Sequence, residues 1–169
     1  MKANSRPTWD SIWINLAQQL AKRATCLVPN RQVGCVIVSS DNRRVLSVGY
    51  NGGAAGSSDE CEYSSIGGIK EGSSRCTCAH AEMNALAKLN SVDSCAKTCY
   101  LTLSPCQICA TLLVNAMIDT VIFIDEYSAT KPIDTLLAAG IEVYQYDLEN
   151  NCRRQIVRGD KRTKDWHPI

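Results

Sequence analysis

The sequence predicts an α/β protein in which helices cover both faces of a mixed β-sheet. The opening segment has apolar side chains at helical spacing, two β-rich runs follow as a hairpin, and strands then alternate with helices. Such alternation places the connecting helices against the sheet. A length of 169 residues without an internal repeat suits one domain with a single core.

The first half of the chain contains a predicted helix, a hairpin and a long loop. Residues 9–25, WDSIWINLAQQLAKRAT, predict an amphipathic helix. The runs QVGCVIVSS and RRVLSVGY, joined through SDNR, predict two antiparallel strands. Residues 51–79 are rich in Gly and Ser and lack periodicity. Loops of this length in compact domains are typically functional, and here cysteines would hold the loop down.

Helices and strands alternate after this loop. The segments HAEMNALAKL, CQICATLLVNAMI and PIDTLLAAG predict helices, and TCYLTLS, TVIFID and IEVYQY predict strands. We expect one domain over residues 1–150 and a polar, basic tail over residues 151–169. The tail is interpreted as a solvated segment or as one that packs on a neighbouring subunit.

Composition and charge exclude several function classes. A net charge of +1 gives no global reason to expect nucleic-acid binding. The N-terminal segment MKANSRPTWD has no apolar core of the kind found in signal peptides, and no apolar run approaches membrane-spanning length. We therefore expect a soluble, cytoplasmic protein with no membrane or nucleic-acid partner.

The ten cysteines indicate metal binding. Disulfides are rare inside cells, so metal ligands and buried thiols are favoured over a disulfide framework. Cys35 and Cys99 fall within predicted strands and are interpreted as small core residues.

Two short motifs form the predicted metal site, HAE at His80–Glu82 and PCQIC at residues 105–109. Cys106 and Cys109, at i and i+3, lie on one helix face in the first turn, where the helix dipole favours thiolates. Two thiolates and the His80 imidazole supply three zinc ligands and leave a fourth position for water, as in catalytic sites. Bound zinc lowers the pKa of that water to about 7.

Glu82 distinguishes a catalytic site from a structural one. His80 and Glu82 approach one metal only if His80 lies at the start of a helix. A glutamate that does not ligate the metal can then take the proton of the water and pass it on. Alone, C-x-x-C also occurs in structural zinc half-sites and redox pairs, and H-x-E occurs by chance. In this order, H-x-E followed by P-C-x-x-C is the signature of zinc-dependent nucleobase deaminases.

The chain resembles the zinc-dependent cytidine and deoxycytidylate deaminase family. The segments that carry the resemblance are RPTWD, AKRATC, QVGCVIV, GYNG, HAEMNAL, YLTLSPCQICA and VIFIDEY, of which AKRATC and GYNG narrow it to the deoxycytidylate branch. The resemblance implies a three-layer α/β/α sandwich with a central mixed sheet. It also implies zinc-dependent hydrolysis of dCMP to dUMP and ammonia, feeding thymidylate synthesis. The resemblance further implies a homo-oligomer, with a hexamer favoured, and dCTP and dTTP as regulators.

The resemblance also assigns roles to single residues. His80, Cys106 and Cys109 would hold zinc, and Glu82 would carry protons from the water to N3 and to the departing amine. The implied substrate-binding positions are the backbone of Ala81 and Ser104 at the pyrimidine edge, Asn51 at the sugar hydroxyl, Arg23 at the phosphate and Tyr127 beside the substrate.

Several of these roles have alternatives. Arg23 would otherwise be a solvated arginine near a helix end, and Ala24 stands where the family has a small hydroxyl residue. Tyr127 would otherwise be a core or rim tyrosine. Some relatives hold a second, structural zinc, and the matching cysteines, which would otherwise be free thiols, are Cys26, Cys61, Cys76 and Cys78.

Two other functions compete with dCMP deamination. The first is deamination of free deoxycytidine, cytidine or another base substrate, for which no phosphate contact is needed. The second is a non-catalytic interaction module stapled by zinc, in which Glu82 would be dispensable.

Overall fold

The computed structural model describes residues 6–26, 31–54, 56, 78–90, 95–127 and 130–157. The helices in these ranges are α1 Trp9–Ala21, α2 Ala81–Leu86, α3 Gln107–Asn115 and α4 Lys131–Ala138. The strands are β1 Gly34–Ser39, β2 Val45–Tyr50, β3 Lys97–Leu103, β4 Thr120–Asp125, β5 Glu142–Asp147 and β6 Cys152–Ile156. Within the described ranges, no helix has the length and apolar character needed to cross a membrane.

The six strands form one mixed sheet in the order β2-β1-β3-β4-β5-β6. β1 is antiparallel to both β2 and β3, which confirms the predicted hairpin. β3, β4 and β5 are parallel, and β6 returns antiparallel to β5. Parallel neighbours require a crossover connection. α3 makes this crossover between β3 and β4, and α4 makes it between β4 and β5.

Side chains that alternate along the strands build two separate cores. On one face, Ile14 and Ala17 of α1 pack with Val36, Val38 and neighbouring apolar residues. On the other face, α2, α3 and α4 bury their apolar residues against the opposite side of the same strands. The predicted three-layer α/β/α sandwich is therefore confirmed.

The predicted core cysteines lie on the face that carries α2, α3 and α4. Cys35 and Cys99 are fully buried there, with their sulfur atoms 3.6 Å apart on neighbouring strands.

Two glycines let helices approach the hairpin closely from opposite sides. A Cβ added to Gly34 would lie 1.9 Å from the carbonyl oxygen of Ala17 in α1. A Cβ added to Gly49 would lie 2.2 Å from the carbonyl oxygen of Ala81 in α2. Only glycine permits such close backbone packing, so these positions set the distance of each helix from the sheet.

The first helix is shorter than the predicted segment 9–25. It begins at the N-cap Thr8, whose side chain accepts a hydrogen bond from Ser11 N at 3.1 Å, and ends at Ala21. The next three N–H groups donate to carbonyls three residues back, which tightens the chain into a turn. Thr25 N then donates to Asn51 O at 3.3 Å, so the chain leaves the helix to join the end of β2.

The polar segment after Asp147 is not simply a solvated tail. Cys152–Ile156 forms β6, whose backbone pairs with β5 over five residues. The strand escaped prediction because side chains alternate between the two faces of the sheet and only Ile156 of β6 is buried in the core. A strand with a single buried apolar residue has a weak sequence signal. Residues 158–169 lie outside the described ranges, and the division of the chain at residue 150 otherwise stays a prediction.

Candidate active site

Two helix N-termini bring the predicted metal ligands together. His80 is the N-cap residue of α2 and Cys106 is the N-cap residue of α3. Both have extended backbones, with φ/ψ of −70°/159° and −75°/173°, and neither side chain makes a capping hydrogen bond. His80 therefore lies at the start of a helix, as the H-x-E motif requires. Its Nδ1 atom lies 3.4 Å from Sγ of Cys106 and 3.4 Å from Sγ of Cys109.

These three side chains fit a tetrahedral zinc ion. Their ligand atoms all lie within 4.8 Å of one another, and no other such group occurs in the described part of the chain. With Zn–N near 2.0–2.1 Å and Zn–S near 2.3 Å, nitrogen and sulfur ligands of a tetrahedral site lie about 3.6 Å apart. The observed separations of 3.4 Å agree. A set of one imidazole and two thiols also leaves one of four positions for water.

The protonation of the cluster suits a cation. The hydrogen bond from the Cys109 thiol lowers the pKa of Cys106 to about 3, and the same contact raises the pKa of Cys109 above its ordinary value. The hydrogen bond with Cys106 raises the pKa of His80. These shifts favour loss of the proton of one thiol, and coordination to a divalent metal would favour loss of the other.

Glu82 lies in the first turn of α2 beside this cluster. Its side chain is 3% exposed, and burial raises the pKa of its carboxyl group to about 7. A hydrogen bond with the Cys109 side chain lowers the pKa of Glu82, so the Glu82 carboxyl group contacts one of the predicted metal ligands. A buried carboxyl group with a pKa near neutrality can both accept and donate a proton.

A sequence model of the cytidine and deoxycytidylate deaminase zinc-binding region matches residues 7–125. This span is more than half of the chain and contains the whole cluster. The chain belongs to this deaminase family. The family is one of zinc-binding proteins, and the His–Cys–Cys geometry agrees with that property.

Two relatives and one solved structure illustrate the similarity. The deoxycytidylate deaminase of Mycobacterium phage D29 is 34% identical over 127 residues, covering 70% of this chain and 96% of the phage protein. That of Schizosaccharomyces pombe is 34% identical over 155 residues, covering 83% of this chain but 45% of the yeast protein. The crystal structure of dCMP deaminase from cyanophage S-TIM5 in complex with dCMP and dUMP matches with a TM-score of 0.69. It is 26% identical and covers 84% of this chain and 99% of that one.

Around the deaminase cluster, Ser104 and Tyr127 are joined directly. Ser104 is buried, and its backbone N–H donates to Asp125 O at 2.8 Å. Its hydroxyl oxygen accepts a hydrogen bond from Tyr127 N at 2.7 Å. Since Ser104 lies two residues before Cys106, this bond places the backbone of Tyr127 next to the start of the ligand-bearing turn. The predicted contacts of Ser104, Tyr127 and the buried Ala81 with substrate stay predictions.

Asn51 supports the loop that precedes β1. Its Oδ1 accepts a hydrogen bond from Val33 N at 2.7 Å, and its Nδ2 donates to Arg31 O at 2.7 Å. The buried amide therefore fixes the backbone of this loop. A contact between Asn51 and a sugar hydroxyl, which would use its second Nδ2 hydrogen, stays a prediction.

Two arginines of this deaminase lie over different tyrosine rings. The exposed Arg23 lies over the ring of Tyr50, with its Cζ 5.5 Å from the ring centroid. The half-buried Arg31 lies over the ring of Tyr127 at 4.6 Å. Arg31 carries no signal in the sequence, because no motif or spacing marks a lone arginine in the loop before a strand.

The predicted second zinc site lies largely outside the described residues. Cys61 and Cys76 belong to the long loop, and the structure describes neither. Cys26 is buried after α1 and Cys78 is half-buried before α2.

Proposed function

We propose that this deaminase hydrolyses dCMP to dUMP and ammonia. The observation that carries the proposal is the buried Glu82 carboxyl group beside a preformed His–Cys–Cys group. The relatives from the phage and the yeast are deoxycytidylate deaminases, and the cyanophage structure contains dCMP and dUMP. A closed structural zinc site would have no need for a buried, proton-accepting glutamate next to its ligands.

The roles of the residues follow from their positions. Zinc held by His80, Cys106 and Cys109 would provide a water nucleophile at neutral pH. Glu82 would accept one proton from the attacking water and donate it to N3 of cytosine. The hydroxyl proton of the resulting C4 adduct would then pass through Glu82 to the amino group, which leaves C4 as ammonia. The pKa of Glu82 near 7 suits both directions of transfer.

Burial of Glu82 has a second effect on the reaction. The side chains packed between α2 and the sheet keep bulk water away from the carboxyl group. In such a low-dielectric site, charged hydrogen bonds are stronger than in water. The short α2 fixes Glu82 one residue beyond the buried Ala81, whose backbone is proposed to contact the pyrimidine edge together with Ser104.

The other binding roles rest on neighbouring positions. Tyr127 is proposed to line the substrate pocket, because its backbone is bonded to Ser104. Asn51, which directly follows β2, is proposed to contact the sugar of the substrate. The predicted phosphate contact of Arg23 has weaker support, because Arg23 lies on Tyr50 rather than beside the cluster.

Four further properties are proposed from family membership. A structural zinc would bind Cys26, Cys61, Cys76 and Cys78, and the chain would form a homo-oligomer, with a hexamer favoured. dCTP and dTTP would regulate it, and it would act in the cytoplasm. Two zinc ions per chain in the purified protein would support the structural site, and one would argue against it.

Ammonia release from dCMP, deoxycytidine and dCTP by the purified zinc protein tests the proposed function. We expect turnover of dCMP, with the ultraviolet change of cytosine-to-uracil conversion. Turnover of deoxycytidine alone would keep the deaminase chemistry and refute the nucleotide substrate. No turnover of any of the three by fully metallated protein would refute the proposal and favour the interaction module.

A further inference from the structure

We propose that Asn84 is a positioning residue, which fastens α2, the helix that carries Glu82, to the end of the edge strand β2. Its Nδ2 atom donates a hydrogen bond to Tyr50 O at 2.8 Å. Asn84 acts through Glu82 and the ligand His80, whose places depend on this helix. The kinetic part of the inference rests on the proposed function, and the metal-binding part does not.

The helix α2 has to be held from outside. It has six residues, and helices of this length are not stable by themselves in water. His80 begins the helix without a side-chain capping hydrogen bond. The positions of His80 and Glu82 therefore depend on the contacts that α2 makes with the rest of the protein.

The end of β2 holds the H-x-E motif from both sides. Before the motif, Ala79 and Gly52 exchange two backbone hydrogen bonds, at 2.9 and 3.2 Å. After the motif, the side chain of Asn84 is bonded to Tyr50 O. Asn84 N also donates to His80 O at 3.0 Å, so the backbone joins Asn84 directly to the metal ligand. These bonds fix the first turn of α2 relative to one short stretch of chain.

The carbonyl group of Tyr50 points to the open edge of the described sheet. β2 lies at that edge and pairs with β1. Asn51 N donates to Val33 O at 3.2 Å, so the adjoining pair, Gly34 and Tyr50, is a non-hydrogen-bonded pair of the ladder. In such a pair, the backbone N–H and C=O groups of an edge residue point away from the neighbouring strand. The amide of Asn84 thus satisfies a carbonyl oxygen that β1 cannot reach.

The stretch that Asn84 binds also carries Asn51. The side chain of Asn51 holds the loop before β1, and it is proposed to contact the sugar of the substrate. Asn84 therefore aligns the helix that carries Glu82 with a proposed substrate contact. Without its bond, the first turn of α2 could move relative to α3, and an error of about 1 Å in the placement of catalytic groups is enough to slow a reaction strongly.

Ser47 provides a matched comparison on the same helix and strand. Its Oγ atom donates to Ala85 O at 2.6 Å, again from a side chain to a backbone carbonyl. Carbonyl groups of a helix point toward its C-terminus, whereas side chains lean toward its N-terminus. Ser47 therefore holds the far end of α2, and Asn84 holds the end that carries His80 and Glu82.

Zinc release from the loaded full chain to a chromogenic chelator tests the metal-binding part. Asn84→Ala should release zinc about 10-fold faster than the unchanged protein, because His80 is held less firmly against the two cysteines. Ser47→Ala should release zinc at the unchanged rate. Both variants should lower the melting temperature by about 2–4 °C, so a difference in zinc release does not follow from lost stability.

Steady-state kinetics with dCMP test the catalytic part. In zinc-loaded Asn84→Ala, kcat should fall by about 10-fold while KM stays within about twofold, and Ser47→Ala should change neither. Asn84→Gln keeps an amide donor on a longer side chain, so it should recover part of kcat and part of the slow zinc release. Asn84→Asp, which keeps the size of the side chain without the donor, takes the place of Asn84→Ala if that variant does not fold.

Two outcomes would overturn the assignment. The first is that the Asn84 and Ser47 variants show the same zinc release and the same kcat, which would make Asn84 a purely structural residue. The second is a loss in Asn84→Ala that lies in KM alone. If the unchanged protein deaminates neither dCMP nor deoxycytidine, the proposed function fails, and the zinc-release rates still decide the role of Asn84.

Discussion

On the face of the sheet that carries α1, the buried hydroxyl of Tyr100 belongs to a network of paired polar side chains. The hydroxyl of the fully buried Tyr100 donates to Asp10 Oδ1 at 2.6 Å and lies 3.0 Å from Asn42 Oδ1. Arg153 of β6 pairs with the other oxygen of Asp10 at 3.3 Å. Burial and the nearby Asp10 carboxylate raise the pKa of Tyr100, so its hydroxyl remains a donor. This network ties α1, β3 and β6 together.

On the opposite face, the polar groups are arranged around a position for a cation. The three predicted ligands converge at the N-termini of α2 and α3, and Glu82 lies beside them in the first turn of α2. The comparison shows that burial of titratable groups does not by itself mark an active site. What distinguishes the second face is that its donor atoms converge at distances a metal requires, whereas those of the first face pair with each other.

Glu82→Gln should have the largest effect. The amide keeps the size of the side chain but cannot accept the proton of water, so kcat should fall by about 10²- to 10⁴-fold. Zinc content by mass spectrometry and the melting temperature should stay close to those of the unchanged protein. Near-normal turnover in a zinc-loaded variant would remove Glu82 from the mechanism.

A pair of glycine substitutions separates the two faces. In Gly34→Ala and Gly49→Ala the new methyl group meets backbone atoms at 1.9 and 2.2 Å, so each should lower the free energy of unfolding by about 1–3 kcal/mol or more. Gly49→Ala displaces α2 and should also reduce zinc content and kcat below the melting temperature. Gly34→Ala displaces α1 and should leave both unchanged. Urea unfolding and zinc analysis of the two variants, side by side, measure this difference; equal effects on zinc content would contradict it.

Much of the metal-ligand cluster could be predicted, because its residues fall within two short sequence motifs. H-x-E and P-C-x-x-C each mark the start of a helix, so two short motifs were enough to predict a cluster that the fold then assembles. The alternation of strands and helices likewise predicted the layers. β6 was missed because only Ile156 of its residues is buried in the core, which leaves no apolar run to detect.

The surroundings of the cluster were less predictable, because they depend on which face a side chain occupies. Arg23 matched a family position, yet it lies over the ring of Tyr50. Tyr50 follows Gly49, which faces α2, so Tyr50 points to the opposite face of the sheet, where α1 packs. Arg31 lies in a loop whose course is set by hydrogen bonds to Asn51, eighteen and twenty residues away. Side-chain hydrogen bonds between residues this far apart in the chain leave no periodic pattern in the sequence.

Tyr100→Phe tests the network on the α1 face. The variant removes the hydroxyl and leaves the partly buried Asp10 oxygen without this donor, so the free energy of unfolding should fall by about 1–3 kcal/mol. Turnover at temperatures well below the transition should be unchanged, since Tyr100 faces away from the cluster. Chemical denaturation gives the first quantity and the ammonia assay the second; a specific loss of kcat would mean that the two faces are coupled.

Arg153→Ala should have the smallest effect. The ion pair with Asp10 is partly exposed, as is the contact of the guanidinium with the Tyr144 ring at 4.4 Å. Surface ion pairs contribute about 0–1 kcal/mol, and salt should weaken the contribution further. Thermal melts at low and high salt should therefore converge for the two proteins. A larger loss would show that β6 is a stronger anchor of α1 than its exposure indicates.

The convergence of two helix N-termini has a consequence for the charge of the site. With zinc bound, two thiolates would bring two negative charges, which the dication would offset, and the Glu82 carboxyl group, whose pKa is about 7, would add part of a third. The positive ends of α2 and α3, each equivalent to at most about half a charge, offset much of the third. The charges of the described site residues would thus nearly cancel once zinc is bound. An anionic nucleotide could therefore approach the zinc-loaded site without strong repulsion.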